Sequence, residues 1–322
     1  MAPSLFIGPV IRKGLTKVTT QKKKKRGDLG QRRFVLLMLL PGILLVCMFS
    51  YFPALKGVMM AFQKYTIYNL KKVEWIGLGN FLEIFRNREF IMAVPNTIRW
   101  VAVSLFCQFT IGFTLALFLK SKFPGRGLYQ GAICFPWAIS GFLIGITFKW
   151  IYNASYGPLN DILIHLGMVS RAEPIGFLSD PRYAMASVIA ANVWYGIPFF
   201  VIMIQAALQG VSEDLYEAAD IDGGSVVQKF FHITIPSIKS VLVLTTLLRV
   251  IWIFNSAELI YALTDGNPAG RTHTVTSKML NLIMAEGNYG QASAVGVIII
   301  GVLTMFSAFY IAATKFEQED GD

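Results

Sequence analysis

The sequence predicts an all-α membrane protein with six transmembrane helices and a cytoplasmic coupling helix between the fourth and fifth. Composition is the first ground: of 322 residues 54% are hydrophobic and 15% charged, with a mean hydropathy of +0.54, whereas soluble chains carry about 25% charged residues. The second is length. Six apolar stretches, at about 34–52, 92–119, 128–151, 183–207, 238–262 and 289–313, reach the roughly 20 residues that a helix needs to cross a hydrocarbon core. The third is pattern: LLMLLPGILLVCMF and VGVIIIGVLTMF are apolar on every face, where the strands of a membrane barrel alternate over about ten positions.

Residues 1–33 form a basic segment ahead of the first span. Arg12, Lys13, Lys17, Lys22 to Lys25, Arg26, Arg32 and Arg33 are ten basic residues against one acid, Asp28, which gives +9 of the chain's net +10. Such clusters set topology and touch anionic lipid, so the excess is read as an anchor and not as a nucleic-acid surface. The run SLFIGPVI is short, broken by proline and followed by its charges, which excludes a signal peptide. Within residues 3–18, Leu5, Phe6, Ile7, Val10, Ile11 and Leu15 have partial helical spacing, which predicts a segment lying on the inner bilayer surface or a partner.

Lys120, Lys122 and Arg126 mark the loop after the second span as cytoplasmic too, although Lys64, Lys71, Lys72, Arg86 and Arg88 fall in an outer loop. By this count both termini, the acidic tail 315–322 and the loop before the fifth span are cytoplasmic, and residues 34–314 form one six-helix domain. Gly141 and Gly145 in the third span have the spacing of a close helix contact. In the fourth, Asn192, Trp194, Tyr195 and Gly196 lie beside Pro198, which predicts a kink. Lining a path and plain packing explain those residues equally well. Cys47, Cys107, Cys134 and the scattered His165, His232 and His273 have no metal-ligand spacing.

The loop YEAADIDGGSVVQKFFHITIP interrupts this apolar order. Ser212 is placed to cap a helix with Glu213 and Asp214 in its first turn. Gly223 and Gly224 stop it where a reversal favours positive φ. Ser225 caps a second helix whose Val226, Val227, Phe230, Phe231 and Ile233 share one side, and Pro236 is expected to close it. A helical pair resting on lipid headgroups fits this pattern as well as a partner-facing device.

Polar residues cluster in the fifth span, VLVLTTLLRVIWIFNSAELIYAL. Arg249 sits near its centre, where ionisable groups are costly and functional candidates. Thr245, Arg249, Trp252 and Ser256 share a helical face, with Asn255 and Glu258 on an adjoining one. Such a wall offers hydrogen bonds and stacking surface to a sugar; an ion pair of Arg249 with Glu258 or another helix is the alternative.

Glu217-Ala218-Ala219, Gly223 four residues after Ala219, Ile233 and Pro236 resemble the EAA loop of binding-protein-dependent ABC importer permeases, within 212–236. Asp220 and Gly224 belong to the same stretch, Gly224 where many members have alanine and Ile235 where leucine is usual. The first apolar run, WIGLGNFLEIF and FNSAELIYALTDGNP are similar to the first-permease type of carbohydrate importers, the maltose-importer kind, over about residues 32–315. The resemblance implies that the EAA helix docks in a cleft of an ATPase, with Glu217 making a polar contact, Ala218 and Ala219 permitting close approach and Gly223 the bend. It also implies a second permease subunit, two ATPase subunits that bind ATP and magnesium, a solute-binding protein outside a bacterial inner membrane, and a carbohydrate cargo, with Arg249 suited to an acidic one such as an alginate oligosaccharide. No GxxxxGK[ST] phosphate loop occurs in the chain, so the sequence carries no such ATP site, cofactor or covalent chemistry of its own. An ion-coupled secondary transporter is the rival reading, but no inverted repeat or midplane ion site is visible. A membrane-embedded enzyme lacks any cluster of nucleophile, base or metal ligands.

Overall fold

The structure is a computed structural model that describes residues 26–121 and 123–314, with side chains from Arg33 onward. The expected surface segment 3–18 and the tail 315–322 lie outside the described residues. The chain divides into two compact units, residues 1–55 and 56–322. In the first, α1 (Arg26–Val46) continues through a π-helical turn, Cys47–Tyr51, into α2 (Phe52–Met60) at the junction. Pro41 lies inside α1.

After the end of α2, the second unit forms a small non-helical clasp. Strands β1 (Gln63–Lys64) and β2 (Glu74–Trp75) pair antiparallel, so the helical fold carries one two-residue ribbon. Asn80, on the short helix α3 (Gly79–Arg86), donates through Nδ2 to the carbonyls of Ala61 and Gln63 at 2.9 Å each. The second span, α4 (Arg88–Lys120), starts earlier than hydropathy suggests because the Asn87 side chain accepts from the N–H groups of Glu89 and Phe90, capping the helix in polar sequence. Its buried face repeats at Thr97, Trp100, Ser104, Gln108, Gly112 and Ala116 and packs on α8 (Ala184–Gln209). Gly112 permits this: a Cβ there would stand 2.6 Å from Cβ of Phe200.

The third span is not the single helix expected over 128–151. Residues 126–134 form α5 (Arg126–Cys134), a 3-10 turn follows at Phe135–Ala138, and α6 (Gly141–Ile151) leaves at 101°. Pro136 tightens the turn, and Ser140, in extended backbone, starts the new helix by accepting from the Leu143 N–H at 3.3 Å. Among the described residues, five helices are long and apolar enough to cross a membrane, and this bent pair makes the sixth if it is one span. The loop after it holds the short helix α7 (Pro158–His165).

Glycine spacing in α6 has the packing role its pattern suggested. A Cβ on Gly145 would lie 2.6 Å from Cβ of Ala262 and 3.0 Å from the Leu259 carbonyl, and one on Gly141 would lie 3.0 Å from Oε1 of Glu258. The partner is α12 (Ala257–Leu263). Gly145→Val is therefore expected to force α6 from α12 and to cost about 1–3 kcal/mol, as overpacked cores do; a thermal unfolding midpoint equal to that of the natural chain would contradict this.

The fifth span also departs from its expected bounds of 238–262. The helix α10 (Val226–Lys229) runs through a π-helical turn, Phe230–Thr234, directly into α11 (Ile235–Asn255). Pro236 therefore does not close the second loop helix; it lies in the first turn of α11, where its missing N–H is tolerated best. The break comes instead at Ser256, after which α12 begins. Helix α13 (Val275–Met284) fills what hydropathy treats as a connecting loop, and α14 (Tyr289–Thr314) is the last span. Nor is α8 interrupted at Pro198.

Candidate functional site

The EAA loop folds from its own caps. In α9 (Glu213–Ile221) the Ser212 hydroxyl accepts from the Asp214 N–H, with Glu213 and Asp214 in the first turn. Gly223 has φ +75, and the Gly224 N–H donates to the Ala219 carbonyl at 2.8 Å, which ends α9 in the left-handed manner typical of glycine. Ser225 and Gln228 then form a reciprocal capping box that starts α10. Gly224 is also tight: a Cβ would stand 2.9 Å from the Ala219 carbonyl oxygen.

Side-chain contacts hold α9 against the bundle. Lys229 pairs with Asp220 at 2.5 Å, the Tyr216 hydroxyl meets Thr234 Oγ1 at 2.9 Å, and Lys120 Nζ sits 4.1 Å from the Tyr216 ring centre. A cavity of about 530 Å³ opens between this loop and the ends of α4, α5 and α8, with Lys120, Arg126, Gln205, Tyr216 and Glu217 in its wall. The outer surface is different. Leu215, Ile221, Val226, Val227 and Phe231 are all exposed, Ile221 at 87%, and Glu213, Asp214, Asp222 and Gly223 are exposed beside them. The apolar side expected of α10 thus divides: Phe230 turns inward to Phe113, 6.0 Å between ring centres, while Val226, Val227 and Phe231 face out. Ala218 is exposed and Ala219 and Ile233 are half-buried.

A second polar centre lies inside the bundle. Arg249 on α11 is 4% exposed, and its Nε donates to Oε1 of Gln108 on α4 at 2.7 Å; Gln108 Nε2 in turn donates to the Asn192 carbonyl on α8 at 2.8 Å. Among the described residues Arg249 pairs with no acid, so neither the Glu258 pair nor a cross-helix ion pair is present. Gly196 makes the room: a Cβ there would lie 2.0 Å from Nη2 of Arg249 and 2.3 Å from Cδ of Gln108. Around this link, Ser104 Oγ, both polar side-chain atoms of Asn192 and Thr245 Oγ1 are buried without a partner.

The structure separates the other residues of the expected path. Trp252 is half-exposed and packs tilted against Phe199, 5.0 Å between ring centres; Trp137 meets Phe199 edge-on at 6.2 Å, and the Arg249 guanidinium lies 5.5 Å from the Phe199 ring. Asn255 and Glu258 are exposed near the end of α11, where Asn255 Nδ2 and Ser256 Oγ donate back to the carbonyls of Ile251 and Trp252. Tyr195 lies within electrostatic reach of both Glu258 and Arg249. Trp194 belongs elsewhere, edge-on to Phe148 and in a groove between α4 and α8. Sequence reasoning passed over Gln108 and Trp137; an amide in the middle of VAVSLFCQFTIGF and a tryptophan next to proline were the available signals.

A third polar group, around Lys278, also went unread. Its side chain is 2% exposed, and Nζ meets Glu89 at 2.6 Å, Glu286 at 2.7 Å and the Asn281 amide oxygen at 3.3 Å. Burial disfavours the ammonium, yet its bonds to Glu286 and Glu89 outweigh that and hold its pKa above the ordinary value. Nearby His273, buried on the segment that leads into α13, is held below its ordinary 6.5 by burial and by Lys278, against the acids Asp265, Glu89 and Glu286. Among the described residues no group of three or more His, Cys, Asp or Glu is arranged to hold a metal ion.

Multiple apolar helices long enough to cross a membrane, gathered around a polar centre with an exposed helical loop braced to their ends, have the form of a membrane transport subunit. The chain belongs to the family of binding-protein-dependent transport system inner membrane components, which matches residues 108–315. It is 30% identical over 302 residues to the trehalose/maltose transport system permease protein MalF of Thermococcus litoralis, covering 94% of this chain and 99% of that one. It is 29% identical over 301 residues to the maltodextrin transport system permease protein MdxF of Bacillus subtilis, covering 88% and 69%. Its fold superposes with a TM-score of 0.79 at 24% identity, over 91% of this chain and 99% of the other, on a chain of a bacterial ABC transporter involved in the import of the acidic polysaccharide alginate.

Proposed function

We propose that this chain is the permease subunit of an ATP-driven importer that carries a carbohydrate delivered by a solute-binding protein. The observation that supports it is the exposed, acid-flanked apolar surface of α9 and α10, formed by Leu215, Ile221, Val226, Val227 and Phe231. An exposed patch of this kind marks a protein partner, here an ATPase subunit that binds ATP and magnesium. A second permease subunit completes the path, and the loop and both termini face the cytoplasm. Sugar-carrying relatives such as MalF and MdxF support a carbohydrate, and the half-exposed Trp252, with the exposed Asn255 and Glu258 a few residues on, offers it a stacking face and hydrogen-bonding groups. In this structure the Arg249 guanidinium is buried and bound to Gln108, so the proposed cargo is not restricted to an acidic sugar.

Glu217 is exposed and Gly223 has positive φ over open space. Glu217→Ala and Gly223→Asp are thus expected to insert normally and to weaken ATPase docking, the first by losing a polar contact and the second by placing a side chain in a strained turn, at about 1–3 kcal/mol. Co-purification of the ATPase subunits with each variant is the test. Undiminished recovery with both would remove the loop from the docking surface, and ATP hydrolysis unresponsive to any sugar-loaded binding protein would remove the carbohydrate.

A further inference from the structure

Between α4 and α8 runs a groove of about 610 Å³. One wall is a strip of α4 at four-residue spacing, Arg99, Val103, Cys107 and Ile111, and the floor is recessed where α8 presents Ala186 and Ala190. Its lining is apolar except at one end, where Arg99 and Arg182 stand. We propose that this groove binds an anionic phospholipid of one leaflet, with the phosphate on the two guanidinium groups and an acyl chain along the strip of α4.

Length supports a lipid. From Arg99 to Ile111 is 12 residues, about 18 Å of helix, against about 15 Å for half of a hydrocarbon core. Charge supports an anionic one. Arg99 is exposed and has no acidic partner among the described residues. Asp180 holds Arg182 through Nε, at 3.0 and 3.1 Å, and Nη2, at 2.6 Å, which fixes the guanidinium and leaves Nη1 for a ligand. With Asp180 counted, the end of the groove has one net positive charge, which suits a monoanionic phosphodiester, and guanidinium forks match phosphate oxygens. A sugar would leave its hydroxyls unpaired along the apolar wall. The proposal stands whichever solute is carried.

The test uses the assembled transporter. After extraction and delipidation, native mass spectrometry with added phosphatidylglycerol is expected to show retained lipid that Arg99→Gln with Arg182→Gln reduces about tenfold, while Arg99→Lys retains most of it. Ala190 is exposed on the groove floor, so Ala190→Leu is expected to fold normally and to expel the lipid by filling its space. In parallel, a photoreactive maleimide on Cys107, with Cys47 and Cys134 replaced by alanine, is expected to give lipid adducts in membranes. Phosphatidylcholine retained as well as phosphatidylglycerol, displacement by inorganic phosphate, retention unchanged in the glutamine and leucine variants, or adducts of Cys107 with protein would each overturn the proposal.

Discussion

Gln108→Leu is expected to destabilise the subunit by at least about 2.5 kcal/mol, because it leaves the buried Arg249 guanidinium in the bundle without its acceptor, and that is the lenient cost of an unaccommodated charge at this depth. Arg249→Met is expected to cost about 1–3 kcal/mol, the penalty of leaving the Gln108 oxygen unsatisfied. Combined, the two changes replace a polar pair by an apolar one and are expected to return close to the natural stability, since removing both partners spares either from standing alone. Unfolding of the purified complex in detergent measures all three. The double variant also decides what Arg249 does. Sugar-stimulated ATP hydrolysis per assembled complex is expected to survive in it, and to fall in Trp252→Ala or Asn255→Ala; loss of stimulation in a well-assembled double variant would return Arg249 to the substrate path.

The second large effect is expected at Lys278. Glu89→Ala with Glu286→Ala leaves an ammonium that is 2% exposed with only the Asn281 oxygen to receive it, and an uncompensated buried charge costs about 3–5 kcal/mol. Because Glu89 begins α4 and Lys278 lies on α13, the break would release α13 from the start of the second span. Faster hydrogen exchange confined to residues 275–284, with the α4–α8 contact unchanged, is the expected pattern. A double variant as stable as the natural chain would show that water replaces both carboxylates.

What the sequence made legible was local. Ser212, Ser225 and the Gly223 turn act on neighbours within a few positions, so their helices follow from spacing alone, and Gly141 and Gly145 announce a close packing face without naming α12. The break in the third span was missed because hydropathy has no direction: FPWAISGFLI is apolar enough to read as one helix, while Pro136 and the Ser140 cap turn it by 101°. The continuity of α10 into α11 was missed for the opposite reason, a proline read as a stop when it stands in a first turn. Arg249 stands out in sequence as an ionisable group mid-span and is buried, but its partner is an amide 141 residues away, and a search for its counter-charge considers only acids. Lys278 was hidden in a stretch treated as a loop, since its helix α13 is covered by α14, α12 and α4, which lie elsewhere in the chain.

One feature of the fifth span bears on force rather than on chemistry. From Val226 to Asn255 the backbone runs helically for 30 residues, about 45 Å at α-helical rise, with its hydrogen-bond ladder altered at the π-turn Phe230–Thr234 and at Pro236. At Ser256 the ladder stops, and the side chains of Asn255 and Ser256 fold back on the last turn. Beyond that point α12 is clamped to α6 through Gly145 and Ala262. If the loop over residues 212–236 is the docking surface proposed above, a displacement there would be carried along α11 past Arg249 to Trp252, and the break at Ser256 would let that end move while α12 stays packed on α6.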